Sequence, residues 1–207
     1  MQGRARRQVF RSYDATASEV ADERRYCPRC GTACGDALTG GFQRRQCPAC
    51  GYMHHRNPAP GVAVAVTESD RVLLGQRTAG ARFGGKWAFP AGFIEFEEDF
   101  LTAARREVNE ETGLTVEVTG ILNVTFNYLS WDLHALVIAV AARVVGGEMT
   151  PGDELCDLRW VPLEGPYPPL AYEADAHLLE VMASGELPCL PVDPRYASVA
   201  ATASRRV

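Results

Sequence analysis

Two groups of side chains in this 207-residue sequence have the types and spacing to do chemistry. The first is sulfur. Cys27, Cys30, Cys47 and Cys50 stand in a C-x2-C-x16-C-x2-C pattern, and a glycine follows each pair. That spacing fits a four-thiolate zinc site. Each CPxCG turn would aim two sulfurs at one ion, and four thiolates close a tetrahedron with no position left for water. The expectation is structural Zn2+, supplying the folding energy that a ribbon of roughly 25 residues cannot draw from a core. Disulfides are the competing reading, but no apolar stretch follows the N-terminal arginines as a secretory signal requires, so a reducing compartment is expected. Cys34 is close enough to substitute, but the paired CxxC motifs make it unnecessary, and His54 and His55 read as surface or linker residues. Cys156 and Cys189, isolated in apolar settings, read as small buried hydrophobes.

The second group is carboxylate. Seven acids lie between Glu95 and Glu111. On a helix Glu107 and Glu111 share a face with about 5–6 Å between their Cβ atoms, and Glu110 stands beside them. Three carboxylates so close repel one another, and hard cations relieve the repulsion, so the set asks for Mg2+ or Mn2+. An ordinary solvated acidic face would intersperse lysines one turn away, whereas the one lysine of this sequence, Lys86, lies outside the segment. Cations on such a helix, facing the turn at Gly92, suit attack of water on phosphorus: they neutralise diphosphate oxygens and lower the pKa of bound water.

Elements must position these groups. Gly61–Thr67 and Arg71–Arg77 read as a hairpin closed by Glu68-Ser69-Asp70, and a glycine-bearing loop leads from Ala79 to the short strand Trp87–Phe89. Asp99–Thr112 reads as an amphipathic helix capped by Gly113, with Leu101, Ala104 and Val108 as its apolar stripe. Strands are expected at Thr115–Val118, Ile121–Tyr128, His134–Val145 and Leu158–Val161, the third buried on both faces, and a closing helix at Ala171–Ser184. Tyr128 reads as core. The pattern is α/β, a mixed sheet between helices.

From Gly92 the sequence GFIEFEEDFLTAARREVNEETGL meets the pattern G-x5-E-x7-R-E-U-x-E-E-x-G-U, where U is a bulky aliphatic residue, at every fixed position. This resembles the Nudix box, and with it the Nudix hydrolase superfamily and its α/β/α sandwich. The resemblance implies Mg2+ ligation by Glu107, Glu111 and the carbonyl of Ala91. Glu110 and Glu98 would support it, Arg106 would orient Glu107 and the helix, and Glu107 or an acid of the late loop would be the general base. Asp153 and Glu154 stand in that loop, and Glu154 is favoured. Arg77 would hold a substrate phosphate beside Gly92. Glu97 replaces the glycine usual before the fixed glutamate. The ribbon, the Asn57-Pro58 linker and a tail reading CDLRWVPL through LAY resemble the zinc-ribbon group that includes ADP-ribose and FAD pyrophosphatases.

The expected organisation is a mobile tail over 1–25, a zinc ribbon over 26–56, the Nudix domain over 57–192 and a second tail over 193–207, with Arg56–Pro60 as a stiff linker. Charge divides unevenly: residues 1–60 hold ten arginines against five acids, while the rest holds 11 cations against 21 acids. No apolar run reaches the roughly 18 residues of a membrane span, so a cytoplasmic protein is expected. The expected reaction is cleavage of a nucleoside diphosphate linked to another moiety, of the FAD, ADP-ribose or NADH class. Alternatives are a dinucleoside polyphosphate or nucleoside triphosphate hydrolase, and a non-catalytic module binding nucleotide or nucleic acid. The expected partner is a small nucleotide, with neither membrane nor nucleic acid, and the ribbon could make a homodimer contact.

Overall fold

A computed structural model describes residues 10–11, 24–130, 133–152, 154–185 and 189–193. These fall into two compact units, one built on 59–127 and the chain from 135, the other on the ribbon up to Pro58 together with 128–134. Asp153 and most of both expected tails lie outside the described residues. Phe10–Arg11 of the N-terminal tail form strand β1.

The larger unit holds a nine-stranded mixed sheet. At its centre β4 (Ala59–Glu68) runs parallel to β9 (Leu133–Gly147) and antiparallel to β5 (Arg71–Arg77). Beyond β9 lie β8 (Leu114–Ser130) and, parallel to it, β1; beyond β5 lies the antiparallel strand β10 (Leu155–Pro162). Three short strands pair off this path: β6 (Trp87–Ala88) on β5, β7 (Ala91–Phe93) on β4 and β11 (Leu190–Pro191) on β8.

Six consecutive residues of β4, Gly61 to Val66, are buried, which requires cover on both faces of the sheet. Val62, Val64 and Val66 share one face by the period of two and pack with Ala103, Ala104 and Val108 of α1 (Phe100–Thr112). Ala174, Leu178, Leu179 and Val181 of α2 (Glu173–Ala183) are buried outside that cluster. The architecture is the expected α/β/α sandwich.

Several expectations are corrected. The strands read at Thr115–Val118 and Ile121–Tyr128 are one strand, β8, because Gly120 is a site of close approach and not a turn: a Cβ there would lie 2.1 Å from Cys189 Sγ and 2.8 Å from the Leu190 carbonyl oxygen. The linker is shorter than expected, since Ala59 and Pro60 already belong to β4. Tyr128 is 49% exposed and is not core. Cys156 and Cys189 are exposed as well. Cys156 falls where the β10 register slips against β5, so Leu155 takes the inward position and the thiol is left outside, 3.5 Å from the Gln76 carbonyl oxygen.

In the ribbon unit β2 (Gly35–Thr39) pairs antiparallel with β3 (Phe42–Gln46). Two like turns flank this hairpin: Gly31 N–H donates to the Cys27 carbonyl and Gly51 N–H to the Cys47 carbonyl. Arg45 ties the unit together, donating to the Arg24 carbonyl, to Asp36 at 2.7 Å and to the Cys34 carbonyl.

Candidate functional site

The carboxylate site is set by how α1 docks. Asp99 caps the helix, its Oδ1 accepting from Leu101 and Thr102 N–H at 2.9 Å, and Gly113 ends it in the left-handed conformation. Ala104, Val108 and Glu111 follow at i, i+4 and i+7, so Glu111 continues the stripe that Ala104 and Val108 bury. Burial pushes its carboxyl up to about 8; the Ala91 N–H, which donates to Oε2 at 2.9 Å, opposes the shift, and the charges of Glu107 and Glu154 reinforce it.

Glu107, one turn earlier, lies against β7. A Cβ on Gly92 would come within 2.0 Å of Glu107 Oε1, so any other residue here would push this carboxylate out of its place. Burial raises Glu107 as well, against the opposing Arg106 guanidinium. Arg106 donates to Glu107 Oε1 at 2.7 Å, Glu110 Oε2 at 3.0 Å, both oxygens of Glu98 and the Phe93 carbonyl. Its hydrogen bonds hold Glu98 below the usual carboxylate range. The repulsion expected on the acidic helix is thus partly relieved by an arginine inside the segment.

Arg77, at the end of β5, donates to the Arg82 carbonyl at 2.7 Å and reaches Glu154 Oε2 at 3.4 Å. The Glu154 carbonyl also accepts from Thr78 N–H, one residue beyond β5. Both charges act on Glu111. The structure therefore brings together Ala91, Gly92, Glu98, Arg106, Glu107, Glu110 and Glu111, with the Arg77–Glu154 pair in their field. The sequence reading missed Asp175, which is 5% exposed and accepts from Phe89 N–H at 3.3 Å, its carboxyl pushed by burial to about 7. The signal was present: Asp175 stands one turn before Leu178 and Leu179, on the apolar side of its helix.

The ribbon passes a geometric test of fit for zinc. In the ribbon, Cys27 and Cys50 sulfurs are 3.6 Å apart, Cys30 and Cys47 3.5 Å, and Cys30 and Cys50 3.7 Å, with all four within 4.8 Å of one another. Zn–S bonds of about 2.3 Å in a tetrahedron give edges of about 3.8 Å, whereas a disulfide needs about 2.05 Å. At the helix, the buried Glu111 and the half-buried Glu107 are hard oxygen donors, both held above their ordinary range, and by their chemistry they suit a divalent cation. Among the described residues no helix is long and apolar enough to cross a membrane.

The comparisons agree with this geometry. The NUDIX domain profile matches residues 57–182. The chain is similar to the NAD-capped RNA hydrolase NudC of Vibrio vulnificus, with 32% identity over 149 residues, 71% of this chain and 54% of that protein. It is also similar to the ADP-ribose pyrophosphatase of Methanocaldococcus jannaschii, with 31% identity over 135 residues, 63% of this chain and 77% of that protein. The crystal structure of a NUDIX hydrolase from Nitrosomonas europaea matches with a TM-score of 0.66 and 26% identity, covering 77% of this chain and 90% of that one. The chain spans little more than half the length of the curated NudC relatives it matches. A profile match over more than half the residues, with the box folded into one carboxylate site between α1 and β7, leads to one assignment: the chain belongs to the Nudix family.

Proposed function

We propose that this protein is a Mg2+- or Mn2+-dependent pyrophosphohydrolase that cleaves a nucleoside diphosphate linked to another moiety, giving a nucleoside monophosphate and the phosphorylated partner. The observation that carries this is the pair of buried Glu111 and half-buried Glu107, held against the Ala91 amide and Gly92. Glu107 and Glu111 would hold the cation with the Ala91 carbonyl, and Glu98 and Glu110 would support them through Arg106. When bound, the cation supplies charge neutralisation at the diphosphate oxygens and a more acidic water.

The chain's own residues do the rest. Arg106 fixes the Glu107 carboxylate so that it need not reorganise during the reaction. Arg77 presents a guanidinium to a phosphate of the substrate, its Nε anchored on the Arg82 carbonyl. Glu154, 66% exposed beside Arg77, takes the proton of the attacking water as its oxygen bonds to phosphorus and the bridging P–O bond breaks. Four thiolates in the ribbon hold a structural zinc. The names of the relatives direct the substrate panel: ADP-ribose and NAD-capped RNA, with NADH and FAD added.

The test is to incubate purified protein with each compound and Mg2+ or Mn2+ and to separate the products. ADP-ribose should yield AMP and ribose 5-phosphate, and chelation should stop the reaction. Failure to cut any of the four with Glu107 intact would refute the enzymatic reading.

A further inference from the structure

The loop between β5 and β6 is closed by its own hydrogen bonds. Ala81 N–H donates to the Thr78 carbonyl, Gly84 N–H to Ala81, Lys86 N–H to Phe83, Gly85 N–H to Arg77 and Arg77 N–H to Lys86. Gln76 and Arg77 side chains add bonds to the Gly85 and Arg82 carbonyls. Within this frame Phe83 has φ 57°, in the left-handed region, where a bulky residue is an outlier. Glycines occupy the next two positions, 84 and 85. Glycine or asparagine would meet the same backbone demand at 83 with less strain, so the frame holds an aromatic ring where the backbone disfavours one. Strain of this kind collects at ligand clamps and active sites.

The ring is steadied without being hidden. It meets Tyr172, at the start of α2, edge to face with centroids 5.3 Å apart and planes at 82°, yet Phe83 remains 37% exposed. The Lys86 ammonium lies 5.9 Å from the ring centroid. The two segments are stitched together next to the pair, since Trp87 N–H donates to the Pro169 carbonyl and Ala171 N–H to the Trp87 carbonyl. The ring also adjoins the Arg77 anchor: Arg77 Nε donates at 2.7 Å to the carbonyl of Arg82, the residue before Phe83, and its guanidinium reaches Glu154 at 3.4 Å.

We infer that Phe83, braced by Tyr172, is the platform on which the nucleobase of the substrate stacks, on the side of the site where Arg77 holds the phosphate of the same nucleotide. A base offers a planar π-face, the ring offers another, and Arg77, anchored on the Arg82 carbonyl, with the Lys86 ammonium over the ring, supplies positive charge for the phosphate. Phe83 is thereby a specificity-determining residue: it selects a nucleotide over a bare sugar phosphate. This rests on the pyrophosphohydrolase reading for the identity of the ligand, but its test does not depend on turnover.

The probes are AMP and ribose 5-phosphate, which share a phosphate and differ by the base. Their affinities are measured by calorimetry on the wild type, Phe83→Asn and Phe83→Trp with Mg2+ present. Asparagine tolerates positive φ, so the first variant should melt at or above the wild-type temperature. The wild type should prefer AMP. Phe83→Asn should lose about 10-fold or more of its AMP affinity with ribose 5-phosphate unchanged, and Phe83→Trp should keep the preference. An AMP preference that survives in Phe83→Asn, or no preference in the wild type, overturns the platform even if ADP-ribose is cleaved. Loss of the preference in Phe83→Asn supports it even in a protein that cleaves nothing on the panel.

Discussion

Burying Glu111 on the core side of α1 gives the metal-free protein a pH dependence opposite to that of an ion-paired acid. Glu111, raised from 4.5 to about 8, and Asp175, raised from 3.8 to about 7, keep their protons in the folded state where the unfolded chain has released them. The native state then binds more protons, so stability is full below the ordinary values and falls as pH rises toward 7 to 8. In chelator, the urea midpoint should be lower at pH 8 than at pH 5, and Glu111→Gln and Asp175→Asn should each reduce the corresponding difference in unfolding free energy, by on the order of 1 kcal/mol. Mg2+ added at pH 8 should restore wild-type stability but not that of Glu111→Gln. A midpoint that rises with pH would show that these acids are not buried without cations. For activity, Glu107→Gln and Glu111→Gln should each lower metal-dependent turnover by orders of magnitude while the fold is kept, and full activity in both would place the site elsewhere.

At the scale of elements, the site depends on α1 and β7 approaching until the Glu107 carboxylate lies where a Cβ on Gly92 would be. Gly92→Ala should displace Glu107 and abolish most turnover while the rest of α1 stays packed; circular dichroism and a kinetic assay would check this, and unimpaired kcat would refute the close approach. The helix was legible because Asp99, the Ala104 and Val108 stripe and Gly113 signal the same element. β7 was not, since three residues carry no period, and β8 was split because a glycine in a strand reads alike whether it turns the chain or admits a neighbour. The four-cysteine cluster was legible in full because CxxC spacing is local. Replacing Cys27 and Cys30 by serine should release about one zinc per chain and lower the melting temperature. Because the four-thiolate site is closed to water, the folded fraction should keep its Mg2+-dependent rate; a folded, zinc-free, inactive variant would tie the ribbon to the reaction.

For the molecule as a whole, the sequence announced a mixed sheet between two helices because β4 and β9 are apolar over longer runs than one covered face requires. It announced only part of what returns to the box, Arg77 and Glu154. Arg77, Glu154, Asp175 and Phe83 are far apart in the chain and gather only when β5, β10 and α2 are in place, so a motif confined to 23 residues shows the carboxylates of the box and neither Asp175 nor Phe83. The loop that carries Phe83 has one further property. Lys86, exposed beside that ring, is the single lysine of the sequence, so among side chains an acylating reagent addresses one amine, at the edge of the site. Isotopic acetylation read by mass spectrometry thus becomes a footprint of one loop, and the protein carries its own reporter of ligand occupancy without an engineered label.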